Sequence, residues 1–421
     1  MTHAHADSSA AGRIVAATHH WPRGFRASVG AAAIKKPGRD DLALLAMPEG
    51  ATAAAIFTRN LFAAAPIEVS RRHIRDSRGH ASALILNSGC ANAATGPRGL
   101  ANAQEMVDAV SIALGCACEA VLVNSTGVIG VQLPMERIAP VIPKMAAGIA
   151  EALDAGPLEP FARAIMTTDT KPKMSARRIE MPGNRTVHVA GVAKGAGMIR
   201  PDMATMISVL ATDAAVEPKV LDRILRHAAD ASYHRISVDG DTSTNDSVFA
   251  FASGVAGACD EILLARAFRE IAYELARMIV CDGEGFERSL AVRVTGAATK
   301  ADALKVAETV ASSLLVRTAI TGGDPNWGRI VAAAGRAGVA FRPGDLELRV
   351  GGILIFRDSE PCPADDGSMK DAVRAAFNGS HVAVEISLGA SDGATAETHS
   401  DEFLSCGLTT EYVRLNADYT T

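Results

Sequence analysis

Short β-type apolar runs alternate with stretches of helical periodicity along nearly the whole chain, and this alternation restricts the fold more than any other feature. Runs at Ala83–Leu86, Ala120–Val123, Arg185–Val189, Leu290–Val294 and Val382–Leu388 read as strands. Helical spacing marks Leu100–Leu114, Met135–Leu153, Pro218–Ala231, Glu261–Met278, Ala301–Leu314 and Met369–Phe377. Asp366, Gly367 and Ser368 supply the start signal for the last of these. Strands and helices mixed in this way, with Gly-rich connections, predict a layered α/β or α+β fold. Only 4% of residues are aromatic, against 48% hydrophobic. Ala, Val, Leu and Ile must therefore build the core, which suits close packing of helix on sheet. The 421 residues suffice for two domains, or for one large layered domain with a satellite. No repeat or low-complexity linker marks the boundary.

Several function classes are excluded at this level. A net charge of −5 without a basic run leaves no footprint for nucleic acid. No segment reaches the roughly 18 apolar residues of a membrane span. The seven cysteines are odd in number, scattered and without a CxxC pair, so they read as reduced thiols of a cytoplasmic protein rather than a zinc site. The first dozen residues lack the apolar centre of a signal peptide and read as a frayed tail, with His3 and His5 solvated. Asp239 and Asp241 hint at a calcium loop but lack the closing glutamate. Neither a metal nor an organic cofactor is expected.

Polar and Gly-rich segments at the ends of these elements are the candidates for chemistry. Lys194-Gly-Ala-Gly leads, as an expected flexible loop, through Arg200-Pro-Asp-Met-Ala204 to Thr205, where an apolar run begins. Alone, Thr205 reads as an N-cap or strand-edge residue. Asn124-Ser-Thr126-Gly127 follows a strand, and Thr167-Thr-Asp-Thr170 follows a helical stretch. Asp239–Asp246, Asp282-Gly-Glu284-Gly285 and the tail Asn416-Ala-Asp-Tyr-Thr-Thr421 complete the set. Fixed backbone N–H groups in such loops can hold an oxyanion, but each loop is equally an ordinary turn. Gly389-Ala-Ser391-Asp-Gly393 matches a nucleophile-elbow pattern. It leaves too short a remaining chain for the acid and histidine that the elbow requires, and reads as chance.

Taken in order, these segments resemble the ornithine acetyltransferase (ArgJ) family. The resemblance rests on Lys194-Gly-Ala-Gly-Met with Met203-Ala204-Thr205-Met206, and on Asn87–Gly96, Ser125–Gly130, Thr167–Thr170, Asp239–Asp246, Asp324–Arg329 and the Asn416 tail. It runs from about Gly24 to Thr421. It implies an αββα-like sandwich with N-terminal-nucleophile autoprocessing and a smaller α/β lobe. Cleavage between Ala204 and Thr205 would give an α chain (1–204) and a β chain (205–421) that stay intertwined in an α2β2 assembly. The resemblance also implies acetyl transfer from N-acetylornithine to glutamate through Thr205, with Thr126 and Gly127 as the oxyanion-hole pair. It carries substrate contacts onto Thr167, Lys194, Thr205, Glu284, Asn416 and Thr421. A threonine at a new amino terminus suits this chemistry. Its α-amine, with a reference pKa near 7.7–8.0, can take the hydroxyl proton without a separate histidine.

The chain departs from the family in three places. Phe286-Glu287-Arg288 stands where family members have Ala-Thr-Lys, Glu397–Leu408 replaces a short tryptophan-containing stretch, and Arg200 is large and charged. These changes bear on substrate rather than on the nucleophile. A related acyltransferase or amidase for another N-acyl substrate is one alternative, and an unprocessed amino-acid-binding protein is another.

Overall fold

The structure, a computed structural model, describes residues 12–200, 206–363, 367–389 and 399–418. The first part of the chain contributes β1 (Arg13–Ala16), β2 (Arg26–Gly30), β3 (Leu42–Phe57), α1 (Ala65–Asp76), β4 (His80–Cys90), α2 (Gly96–Leu114) and β5 (Val121–Val128). It continues with α3 (Met135–Ile138), α4 (Ile142–Glu151), α5 (Glu159–Ala164), β6 (Lys173–Met181), β7 (Arg185–Lys194) and β8 (Ile207–Ala215). Helix α6 (Pro218–Asp230), β9 (Ser247–Ala258) and α7 (Glu261–Val280) complete it. All nine strands join one sheet in the order β1-β6-β7-β8-β9-β3-β4-β5, with β2 paired to β3.

That sheet bends at the long strand β3, whose pairing with β4 shifts between Ala46 and Ala51. Its two halves share a core in which Leu84, Leu86 and Leu122 meet Val192, Val209, Phe249 and Phe251. Of the outer faces, one is covered by α6 and α7 over β6–β9 and the other by α2 and α4 over β4 and β5. Helix, strand, strand and helix layers therefore follow one another. Alanines make the close packing possible: α7 presents Ala267, Ala272 and Ala276 to the sheet between Phe268, Ile271, Leu275 and Ile279. The N-terminus of α7 is secured by Asp260, whose side chain accepts from the Leu263 N–H at 2.9 Å.

A second lobe follows. Strands β10 (Ser289–Ala297), β11 (Glu347–Val350), β12 (Ile353–Arg357), β13 (Glu360–Pro361), β14 (His381–Ser387) and β15 (His399–Cys406) form a six-stranded sheet. Helices α8 (Lys300–Ala311), α9 (Leu314–Gly322), α10 (Trp327–Gly335) and α11 (Gly367–Asn378) accompany it, and α12 (Thr410–Asp418) ends the described chain. The lobe has its own apolar core. No helix among the described residues is long and apolar enough to cross a membrane.

Most expected elements are present, with instructive differences. The periodic stretch Met135–Leu153 is two helices, α3 and α4. Pro140 and Pro143 each lack an N–H to continue the helical ladder. The stretch Ala301–Leu314 also divides, because the Ser313 side chain caps the start of α9. The divergent segment near the end is not a loop: His399–Cys406 is a strand antiparallel to β10. Asp366 and the Ser391 pattern lie outside the described residues.

Candidate active site

The Lys194 segment is not the flexible loop its glycines suggest. Lys194 is the last residue of β7, paired in register with Ile207 of β8 and buried. The strands on either side of the Ala204–Thr205 junction are thus antiparallel neighbours within one sheet. Ala204, Thr205 and Thr421 themselves lie outside the described residues. Met206, the residue bonded to Thr205, is buried, and its carbonyl accepts from the Ser247 N–H at 3.0 Å.

Thr126 and Gly127 lie near the end of β5, which runs parallel to β4 with Ser88 opposite Thr126 and Gly89 opposite Gly127. Gly127 has φ +136°. A Cβ there would sit 2.3 Å from the Gly89 carbonyl carbon and 2.4 Å from the Cys90 nitrogen, so only glycine lets the strand ends approach this closely. The Lys194 Nζ donates to Thr126 Oγ1 at 3.3 Å.

Asp169, which the sequence reading did not single out, ties the remaining residues together. Its carboxylate accepts from the Thr167 N–H at 3.0 Å, the Gly195 N–H at 2.6 Å and the Lys173 Nζ at 2.7 Å. Burial alone would raise its pKa. Lys194, Lys173 and the Gly195 N–H outweigh that and hold it at about 2. Lys173 also reaches Asp282 at 2.5 Å, and Asp282 accepts from the Thr170 backbone N–H at 3.0 Å. Burial lowers the Lys194 pKa, opposed by Asp169.

Glu284 belongs to the same cluster. Its backbone N–H donates to Ala196 O at 2.9 Å, and its carboxylate accepts from the Asn416 side chain at 2.9 Å. Gly197 packs so tightly against that carboxylate that a Cβ would lie 2.5 Å from it. The expected tail contact is therefore made from a helix, α12, rather than from loose chain. Thr126, Gly127, Thr167, Lys194, Glu284 and Asn416, spread over most of the sequence, are brought to one end of the bent sheet.

Two cavities flank this cluster. One of about 530 Å³ is lined by Thr170, Lys171, Asp282, Glu284, Phe286 and Leu415. A smaller one of about 120 Å³ is lined by Ser88, Gly127 and Thr167 together with Arg39. Of the three departing residues, only Phe286 faces the larger cavity. Glu287 is exposed, and Arg288 donates to the carbonyls of Ile320 and Thr321, joining the lobes. Arg200 pairs with Glu308 of α8. A wider cleft, about 1070 Å³, has Arg200 on its wall but none of the clustered residues. Asp239 is no cation ligand here: its carboxylate accepts from the backbone N–H groups of Met198, Ile199 and Asp241. Metal-capable groups of three or more His, Cys, Asp or Glu are absent among the described residues.

Fold and site together define a layered α/β protein with a cavity of amino-acid size beside a cluster of polar and charged residues at its strand ends. The chain belongs to the ArgJ family, whose pattern it matches over residues 26–421. It is 44% identical over 402 residues to the arginine biosynthesis bifunctional protein ArgJ of Nitratidesulfovibrio vulgaris, covering 94% of this chain and 98% of that one. Identity to the protein of the same name from Geobacter sulfurreducens is 42% over 415 residues, covering 95% and 99%. Among solved structures, the arginine biosynthesis bifunctional protein argJ of Bacillus halodurans is 34% identical, with a TM-score of 0.47 over 51% of this chain and 100% of that one.

Proposed function

We propose that this chain cuts its own Ala204–Thr205 bond and then moves an acetyl group from N-acetylornithine to glutamate through an acyl-Thr205 ester. ArgJ-family membership supports acetyl transfer in arginine biosynthesis, and relatives along nearly the full length carry that name. The observation that carries the site assignment is the meeting of Lys194, Thr126 and Gly127 beside the strand that begins just after Thr205. In the cleavage step the threonine Oγ bonds to the Ala204 carbonyl carbon and the C–N bond breaks. Water then hydrolyses the resulting ester. In transfer the freed α-amine takes the hydroxyl proton as Oγ attacks the acetyl carbon, the amide C–N bond of N-acetylornithine breaks and ornithine leaves with that proton; the glutamate amine then attacks the ester, its C–O bond breaks and Oγ recovers a proton from the incoming amine. Backbone N–H groups near Gly127 are suited to the oxyanion, a contribution of about 3 kcal/mol per donor in a dry site. Lys194 would meet the substrate α-carboxylate, and Glu284 with Asn416 and Thr421 its amino group, while Thr167 borders the same cleft. An α2β2 assembly in the cytoplasm belongs to the same proposal.

Intact mass under denaturing conditions tests this reading. The wild type is expected as two fragments, one ending at Ala204 and one beginning at Thr205, and Thr205→Ala as one full-length chain without transferase activity. A full-length wild type, or an alanine variant that still turns over, would sink it. Phe286 on the cavity wall favours a second reading, in which the acyl donor differs from N-acetylornithine. A panel of N-acyl amino acids separates the two.

A further inference from the structure

The wide cleft of about 1070 Å³ takes no part in the chemistry above, and its walls are basic although the chain as a whole carries −5. Seven arginines and one lysine line it against three carboxylates. Those three are already engaged, Asp222 by Arg226 at 2.8 Å, Asp230 by His234 at 2.8 Å and Glu308 by Arg200. Arg75 and Arg235 turn to Asp76 and Asp401, at 2.9 and 3.2 Å. Arg71, Arg78 and Lys219 line the cleft without a carboxylate partner among the described residues.

The backbone brings these three cations to one wall. Arg71 of α1 lies over the Phe57 ring at 5.7 Å and donates to the Thr58 carbonyl at 3.4 Å, which sets it beside the end of β3. The turn after α1 is pinned to the same strand, since the Ala53 N–H donates to the Gly79 carbonyl at 2.8 Å. That turn presses on the start of α6, where a Cβ on Gly79 would lie 2.9 Å from the Pro218 Cβ. Arg78 and Lys219 are the chain neighbours of this contact, so it holds two like charges near each other. Arg78 moreover has φ +55°, in the left-handed region where glycine or asparagine costs less. Clustered like charges and a strained arginine both work against folding, and both are offset once an anion sits among them.

We propose that this cleft is a binding site for a small anion carrying two or more phosphate groups. A guanidinium stays charged and offers two parallel N–H donors to one phosphate, which suits Arg71 and Arg78 to this ligand. Concave walls of one sign concentrate the potential inside the cleft. Its volume is close to the upper end of the roughly 300–1,000 Å³ of small-molecule sites. A nucleic acid fits less well, because it needs a basic track beyond the cleft, and outside the cleft the chain is acidic. Arg71 and Arg78 precede residue 204 and Lys219 follows it, so the anion would tie together the two chains that cleavage produces. Binding itself does not depend on that cleavage.

The test is calorimetric titration of the purified full chain with sodium tripolyphosphate at fixed ionic strength. Wild type is compared with Arg71→Gln, Arg78→Gln and Lys219→Gln, and with Arg163→Gln as a control outside the cleft. Expected is saturable binding that weakens roughly tenfold or more in each cleft variant and is unchanged in the control. Transferase kcat and KM without the anion should stay at wild-type values in all of them. Tripolyphosphate should also raise the thermal unfolding midpoint of the wild type, and not that of a variant combining Arg78→Gln with Lys219→Gln. No binding by the wild type would overturn the proposal. Equal binding by wild type and all three cleft variants would also overturn it, as an adventitious ion only. An uncut chain that binds the anion would remove Thr205 as nucleophile and leave this site standing. A cut, active enzyme that does not bind it would do the opposite.

Discussion

Lys173 and Lys194 lie almost side by side, since Lys173 opens β6 opposite Ala193 and Lys194 closes β7. Both are buried, yet they are equipped differently. Lys173 is flanked at close range by two carboxylates, Asp169 at 2.7 Å and Asp282 at 2.5 Å. Lys194 makes one longer hydrogen bond, to Thr126 at 3.3 Å, among the described residues. The first ammonium is consumed in holding β6 to the loop after α7. The second makes fewer close contacts, which is what the proposed contact with a substrate carboxylate would require. Burial of a charge therefore does not by itself mark a functional group.

The sharpest way to break this comparison is Lys173→Met. It strands Asp169 and Asp282 without their close cation and should cost about 3–5 kcal/mol of folding stability. Urea unfolding measures this, and a variant as stable as the wild type would show that Lys173 is not the structural member of the pair. Lys194→Met should do the reverse. Stability should fall by less than in Lys173→Met, because Asp169 loses one of its two cations but keeps Lys173 at 2.7 Å, while kcat/KM falls roughly thirtyfold, about 2 kcal/mol, chiefly through KM. A pure stability loss with unchanged KM would contradict the assignment.

Acid sharpens the same contrast. Asp169 sits at about 2 when folded against an ordinary 3.8. Its folded pKa is depressed, so the stability it contributes is present above about pH 4 and lost as pH falls towards 2. The loss should amount to about 2 kcal/mol in the wild type. In Lys173→Met the decline should begin at higher pH, which urea midpoints measured across pH would record. The smallest effect is expected at Phe286→Ala, which widens the cavity beside Glu284. Relative kcat/KM for a bulkier N-acyl group should rise by roughly tenfold, without loss of cleavage. No change would show that Phe286 does not gate the substrate.

Much of this organisation was legible in the residues. The Thr126-Gly127 pair, Lys194, Glu284 and Asn416 were named from the family resemblance that the motifs carry in order, and the structure brings them to one place. Asp169 was visible only as part of a Thr-rich turn. Nothing local distinguishes a loop aspartate from one that bonds Thr167, Gly195 and Lys173 together. Lys173 drew no notice at all, since its second partner is 109 positions away. The glycines after Lys194 suggested a loose loop. In the fold they let Gly197 press against Glu284, with Asp169 and Asp239 holding the backbone of that segment.

By itself the sequence determined the layered α/β class, most of the helices and the set of small polar segments where chemistry could sit. Periodicity, proline positions and turn residues act over a few neighbours, so they can be read without the fold. Only the tertiary structure decided that one strand would bend to fold the first sheet onto itself, and that the strands on either side of residues 204 and 205 would be neighbours. It alone set one lysine between two carboxylates and left the other with a single longer hydrogen bond among the described residues. Strand pairing and the burial of charge are set by contacts between residues far apart in the chain, and no local pattern encodes them.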